Sequence, residues 1–127
     1  MEYAHALVIE DDSNSVQVLS ILLKQQGLSC TAFRNPKDVI ESIDSIDPFD
    51  IVFLDLEMPH YDGYEMFDFL RENGVRQPII AYTVHTNEME TARELGFNGF
   101  VSKPLDPIRF TDQMSRILSG QPVWDGG

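Results

Sequence analysis

Four short apolar runs in this chain each lead straight into a side chain that could do chemistry. Ile9 is followed by Glu10-Asp11-Asp12, Leu54 by Asp55, Tyr82 by Thr83 and Ser102 by Lys103. If folding gathers these residues, the set is acidic with one amine and one hydroxyl. Carboxylates crowded at about 4 Å repel by roughly 4 kcal/mol per pair at an effective dielectric near 20, so something must offset that repulsion. A hard divalent cation does so, and an all-oxygen donor set suits Mg²⁺ better than Zn²⁺, which favours nitrogen and sulfur. A carboxylate beside such a cation can attack a phosphoryl group and become an acyl phosphate. Asp55 is the best-placed nucleophile, with Lys103 to supply a fixed positive charge and Thr83 a hydroxyl donor. Each of those contacts is worth roughly 1.5 to 3 kcal/mol.

The elements that must position them alternate between strand-like and helix-like patterns, the signature of a parallel sheet covered by helices. Ala6 to Ile9 reads as the first strand. Val16, Leu19 and Leu23 mark the apolar face of a helix ending near Gly27, and a second strand follows around Cys30 to Phe33. Asn35-Pro36 is a cap with proline at the first helical position, opening a helix that buries Val39, Ile43 and Ile46 and stops at Asp47-Pro48. Ile51 to Leu54 is apolar throughout, as in a central parallel strand, and runs directly into Asp55.

After the turn from Met58 to Gly63 comes a helix carrying Met66, Phe67 and Leu70, closed by Asn73-Gly74. Ile79 to Tyr82 is the fourth strand. Asn87-Glu88-Met89-Glu90 resembles a capping box for a helix packing through Met89, Ala92 and Leu95 and ending at Gly96. Phe100 to Ser102 is the fifth strand, and Asp106-Pro107 opens a last helix with Phe110, Met114 and Ile117 inward. The expected architecture is α/β, a doubly wound five-stranded parallel sheet in flavodoxin-like order 2-1-3-4-5 with helices on both faces. Ligands of such sheets bind beyond the carboxyl ends of the strands, which is where the polar residues stand. One domain over residues 1–120 is expected, with residues 121–127 as a loose tail whose Trp124 either packs back on the last helix or meets a partner.

The chain has 127 residues, enough for one domain that buries roughly two-thirds of its unfolded surface. Hydrophobic residues at 43% and charged residues at 24% place it among ordinary globular proteins, not disordered or membrane-embedded ones. Nine basic against 21 acidic residues leave a net charge of -12, which repels phosphate backbones and anionic lipid, so direct nucleic-acid binding is not expected. No apolar run is long enough to span a bilayer and the N-terminus lacks a secretory pattern. Cys30 is the only cysteine, which excludes an intrachain disulfide and a multi-cysteine metal site. The histidines at 5, 60 and 85 show no i, i+4 pairing, so a histidine metal site is not expected. These features fit a cytoplasmic setting.

On Ile9-Glu10-Asp11-Asp12, on Asp55-Leu56-Glu57-Met58-Pro59 with Asp62-Gly63, on Thr83 and on Lys103-Pro104, the chain resembles the response-regulator receiver domains of two-component signalling, from the first strand to the last helix. The resemblance implies that Asp11 and Asp55 ligate Mg²⁺ directly, that the Glu57 backbone carbonyl completes the protein ligands, and that Glu10 acts through water. It implies a cis peptide between Lys103 and Pro104, and gives Thr83 and Phe100 the roles of switch residues that move inward on phosphorylation. A histidine kinase or histidine phosphotransfer protein would donate the phosphoryl group to Asp55. The surface of the fourth helix, fifth strand and fifth helix would then engage a downstream protein, with no output domain expected in the sequence after the last helix, whether the chain stands alone or is part of a larger protein. Such a domain is a switch that catalyses only its own phosphorylation and dephosphorylation, not an enzyme with an external substrate.

Val84 departs from the small residue usual after the switch threonine and is expected to narrow access. Glu57 and His85 occupy positions expected to set the lifetime of the phosphoryl group. Taken singly, each residue has a plainer reading: Asp12 as a helix cap, which we favour, Phe100 as a core aromatic, Thr83 as a strand former, and Lys103 as a solvated charge. Only the combination at four strand ends exceeds these readings. A phosphatase with an aspartate nucleophile would need a cap domain and a second aspartate where Glu57 stands. A flavin carrier would need hydroxyl and glycine donors where Glu10-Asp11-Asp12 stand. The remaining alternative is a pseudo-receiver that binds proteins without being phosphorylated.

Overall fold

The computed structural model describes residues 4–59 and 61–125; His60 of the expected turn and the last two residues of the expected tail lie outside them. The order along the chain is β1 (Ala4–Ile9), α1 (Ser13–Gln25), β2 (Leu28–Phe33), α2 (Pro36–Ser42), β3 (Ile51–Asp55), β4 (Glu57–Met58), β5 (Tyr61–Asp62), α3 (Gly63–Glu72), β6 (Ile79–Thr83), a 3-10 turn (Thr86–Glu88), α4 (Met89–Leu95), β7 (Gly99–Ser102), α5 (Pro107–Leu118) and β8 (Val123–Asp125). The main sheet runs β2-β1-β3-β6-β7-β8 and every pairing in it is parallel. Setting aside β8 and the small antiparallel pair β4-β5, the strands follow the expected 2-1-3-4-5 order.

Successive residues of a strand point to opposite faces, and here each face finds its own core. Leu7, Ile9, Val52, Leu54, Ile79, Ala81 and Phe100 pack on one side with Val39, Met66, Phe67, Leu70 and Ala92 from α2, α3 and α4. Ala6, Val8, Ile51, Phe53, Ile80, Tyr82 and Val101 pack on the other with Leu19, Leu23, Phe110, Met114 and Ile117 from α1 and α5. Among the described residues no helix is long and apolar enough to cross a membrane.

The helix starts follow local chemistry. Asp12, Asn35, Asp62 and Asp106 each accept a backbone N–H of the first turn they precede. Asp12 also accepts the Ser15 hydroxyl at 2.9 Å, which with its backbone bonds holds its carboxyl below the usual range. α2 is shorter than expected. It ends at Ser42, whose carbonyl accepts both the N–H and the hydroxyl of Ser45 and so turns the chain, although Ile43 and Ile46 still pack on the core. The expected capping box does not form either. Thr86–Glu88 winds as a 3-10 turn, Glu88 precedes α4 without a side-chain cap bond, and Leu95 lies 51% exposed. Gly96 ends α4 as expected, in the left-handed region at φ 101°.

The largest difference is the segment expected to be loose. Val123–Asp125 joins the sheet as a sixth parallel strand, with Gly99 opposite Val123, Phe100 opposite Trp124 and Val101 opposite Asp125. Gly99 makes room for it: a Cβ there would stand 2.9 Å from the Val123 carbonyl oxygen.

Candidate functional site

The strand ends bring the acidic residues together, and strand parity decides which side chains meet. Glu10, Asp55 and Lys103 continue the alternation of Val8, Phe53 and Val101 on the α1–α5 face, while Thr83 continues that of Ala81 on the other. Glu10 is wholly buried, Asp55 is 3% exposed and Thr83 1%. Glu10, Asp11 and Asp55 each offer a carboxylate oxygen within 4.8 Å of the others, a cluster able to hold a metal ion. Glu57 does not join it through its side chain, which pairs instead with His85.

Lys103 enters this pocket behind a cis peptide to Pro104. Its ammonium donates to Glu10 Oε2, lies 3.5 Å from Asp55 Oδ2, and stands 4.5 Å from the centre of the Tyr82 ring. The lysine is therefore not the solvated charge that it would be taken for alone. Its backbone N–H also donates to the Thr83 carbonyl at 2.9 Å, tying β7 to β6 at the site.

The electrostatics match a site short of positive charge. Burial pushes the Glu10 carboxyl up to about 7, with the Lys103 bond opposing and the Asp55 charge adding to the rise. Burial also raises Asp55, against the Glu57 N–H that donates to its Oδ1 at 3.0 Å and against the Lys103 charge. The Tyr82 hydroxyl is raised by burial and by Glu10 nearby. Three carboxylates, two of them paired with one ammonium, fit a dication with oxygen ligands, the donor set expected for Mg²⁺.

The rim carries the remaining predicted residues. The Thr83 hydroxyl accepts the His85 N–H at 3.2 Å. His85 Nε2 stands 3.1 Å from Glu57 Oε2, both side chains about half exposed, and Val84, next in sequence to Thr83, is exposed. Phe100 is away from the carboxylates in β7 and already fully buried, opposite Ala81 in β6. In this structure its ring is packed in the core with Met66, Phe67 and Ala92.

Two participants were missed in the sequence. Tyr82, which reads there as a strand former, lies in register with Asp55 and under the lysine; its place on the same face as Glu10 and Lys103 was the available signal. Gly63 was noted only as part of a motif. A Cβ on it would fall 2.5 Å from Leu56 Cα and 2.8 Å from the Asp55 carbonyl oxygen, so only glycine lets α3 start against the loop that follows Asp55.

Residues 6–115 match the family model described as the response regulator receiver domain. Among similar proteins, the transcriptional regulatory protein FlgR of Helicobacter pylori is 33% identical over 86% of this chain and 28% of its own length. The transcriptional regulatory protein PcoR of Escherichia coli is 28% identical over 87% of this chain and 48% of its own. The chain thus spans half or less of these relatives. The solved BeF3-activated receiver domain of DrrB, a Thermotoga maritima protein, is 26% identical, with a TM-score of 0.77 over 93% of this chain and 99% of that one.

Proposed function

The chain belongs to the response-regulator receiver domains, and from that premise we propose that it is a working phospho-acceptor in which Asp55 takes a phosphoryl group. The observation that carries this reading is the meeting of a buried Asp55 with two further carboxylates and the Lys103 ammonium at one end of the sheet. Glu10, Asp11 and Asp55 would hold Mg²⁺, with the Glu57 carbonyl as a further ligand, and the ion would neutralise oxygens of the transferring group.

An Asp55 carboxylate oxygen attacks phosphorus, a P–O bond to the carboxylate forms, and the bond from phosphorus to the donor breaks, leaving its electron pair with the donor. Lys103 stands ready to pair with a phosphoryl oxygen, because its ammonium already lies 3.5 Å from Asp55. Thr83 supplies a hydroxyl on the neighbouring strand. The donor is a phosphohistidine of a kinase or phosphotransfer protein in the cytoplasm. Output passes to a protein partner through the surface of α4, β7 and α5. Since Thr83 and Phe100 are both buried beforehand, switching is repacking within the core, with a coupling of about 1 to 3 kcal/mol.

The similarity to a receiver domain solved in a BeF3-activated form supports this reading. Incubation with acetyl phosphate and Mg²⁺ should raise the intact mass by one phosphoryl group, and Asp55→Asn should abolish the gain. A wild-type mass that never changes would leave the chain a protein-binding module of the same fold.

A further inference from the structure

β8 is a three-residue strand at the edge of the sheet, paired with β7 on one side only. Of its three residues only Val123 is buried; Trp124 and Asp125 are partly exposed. Trp124 takes the Arg93 guanidinium of α4 over its ring, 4.7 Å from the centre. Asp125 accepts from Arg109 of α5, and from Gln113 of the same helix at 2.6 Å. The strand therefore fills the gap between α4 and α5 along the outer edge of β7. Local opening of such a surface element costs less than global unfolding.

The edge beneath it is shaped for a strand. Gly99 leaves open the space that Val123 backbone atoms occupy, since an added Cβ would meet the Val123 oxygen at 2.9 Å and nitrogen at 3.4 Å. Arg93 and Arg109 flank the edge in a chain whose net charge is -12, so here, unlike over most of the molecule, an acidic segment is attracted. Trp124 is the lateral neighbour of Phe100, and two residues further along β7 Ser102 pairs with Thr83. Phe100 is thus the one residue of β7 that faces both the Thr83 side of the core and, through its register, Trp124 of β8.

We propose that the outer edge of β7 is a strand-docking site, held shut in cis by Val123–Asp125. It fits a partner segment of the same chemistry: extended, parallel to β7, with an aromatic residue followed by an acidic one. Phosphorylation of Asp55 loosens the cis strand and offers the edge to the partner; this last step rests on the phospho-acceptor reading above, whereas the edge itself does not.

The test uses the full chain and, as probe, a fluorescent peptide copying residues 119–125. Asp125→Arg sets two cations against each other and should open the edge without phosphorylation; Gly99→Ala presses on Val123 from beneath and should close the edge to any strand. Peptide binding, read by anisotropy, should be at least about tenfold tighter to Asp125→Arg than to the resting wild type, and should be lost with Gly99→Ala or with a peptide carrying alanine for the tryptophan. Emission of Trp124, the only tryptophan, should shift to the exposed form in Asp125→Arg while the melting transition stays cooperative. Equal binding to Asp125→Arg and wild type, or loss of the whole fold whenever Trp124 is exposed, would make β8 a permanent strand and overturn the proposal. In wild type treated with acetyl phosphate, intact mass separates the two claims. Phosphoryl gain with unchanged peptide binding overturns the coupling, whereas no phosphoryl gain overturns the phospho-acceptor reading and leaves Asp125→Arg to decide the docking site.

Discussion

The Lys103 ammonium lies 3.5 Å from the Asp55 carboxylate while bonded to Glu10, so one cation holds together two buried acids from the ends of β1 and β3. Its removal leaves both acids facing each other with no counter-charge, and breaking a buried pair from one side costs about 3 to 5 kcal/mol.

Lys103→Met should therefore destabilise the metal-free chain by a few kcal/mol in urea unfolding, and Mg²⁺ should recover part of the loss. Phosphorylation by acetyl phosphate should slow by at least about tenfold, the effect of losing roughly 1.4 kcal/mol from the transition state. An unchanged rate would show that the lysine serves the fold alone.

Gly63→Ala forces a methyl to within 2.5 Å of Leu56 Cα, and backbone cannot rotate away as a side chain can. A loss of about 1 to 3 kcal/mol is expected by thermal melting, with weaker Mg²⁺ binding because the displaced loop carries Asp55 and Glu57. Full stability in this variant would mean that α3 can shift freely.

Acid should weaken metal binding. The Glu10 carboxyl, raised by burial to about 7, favours its protonated form in the metal-free fold. Its stabilising contribution is thus present below the ordinary carboxylate range and is lost as the pH rises through about 7. A dication near these carboxylates requires the charged form, so Mg²⁺ affinity should rise between about pH 6 and pH 8. Titration calorimetry at several pH values measures it, and a flat profile would show Glu10 charged throughout.

Glu57 and His85 close a 3.1 Å pair across the mouth of the site. Replacing either by alanine should change the dephosphorylation rate several-fold, and the double variant should show less than the sum of the two effects, because each single change already breaks the pair. Rates equal to wild type would remove both residues from control of the phosphoryl lifetime.

Much of this was legible because the signals are local. Asn35-Pro36 and Asp106-Pro107 favour a helix start through their own cap and proline, and an unbroken apolar run such as Ile51 to Leu54 needs cover on both faces. The site was legible because strand ends in an open α/β sheet share one edge. What escaped depends on contacts between distant parts of the chain. β8 is three residues long and exists through the space over Gly99 and the arginines of α4 and α5, which no pattern within Val123–Asp125 announces. The failure at Asn87–Glu90 is of another kind: the residues suit a cap, but the chain leaving Thr83 winds a 3-10 turn before α4, so Glu88 holds the Tyr64 hydroxyl at 3.1 Å instead.

The central claim is that Asp55 accepts the phosphoryl group within the carboxylate cluster. A crystal structure with Mg²⁺ and beryllofluoride tests it most directly. Beryllofluoride is expected bonded to an Asp55 carboxylate oxygen, with a metal ion touching Asp11 and Asp55 and Lys103 turned onto a fluorine. Crystals in which both reagents leave Asp55 unmodified, with Lys103 still on Glu10, would contradict it.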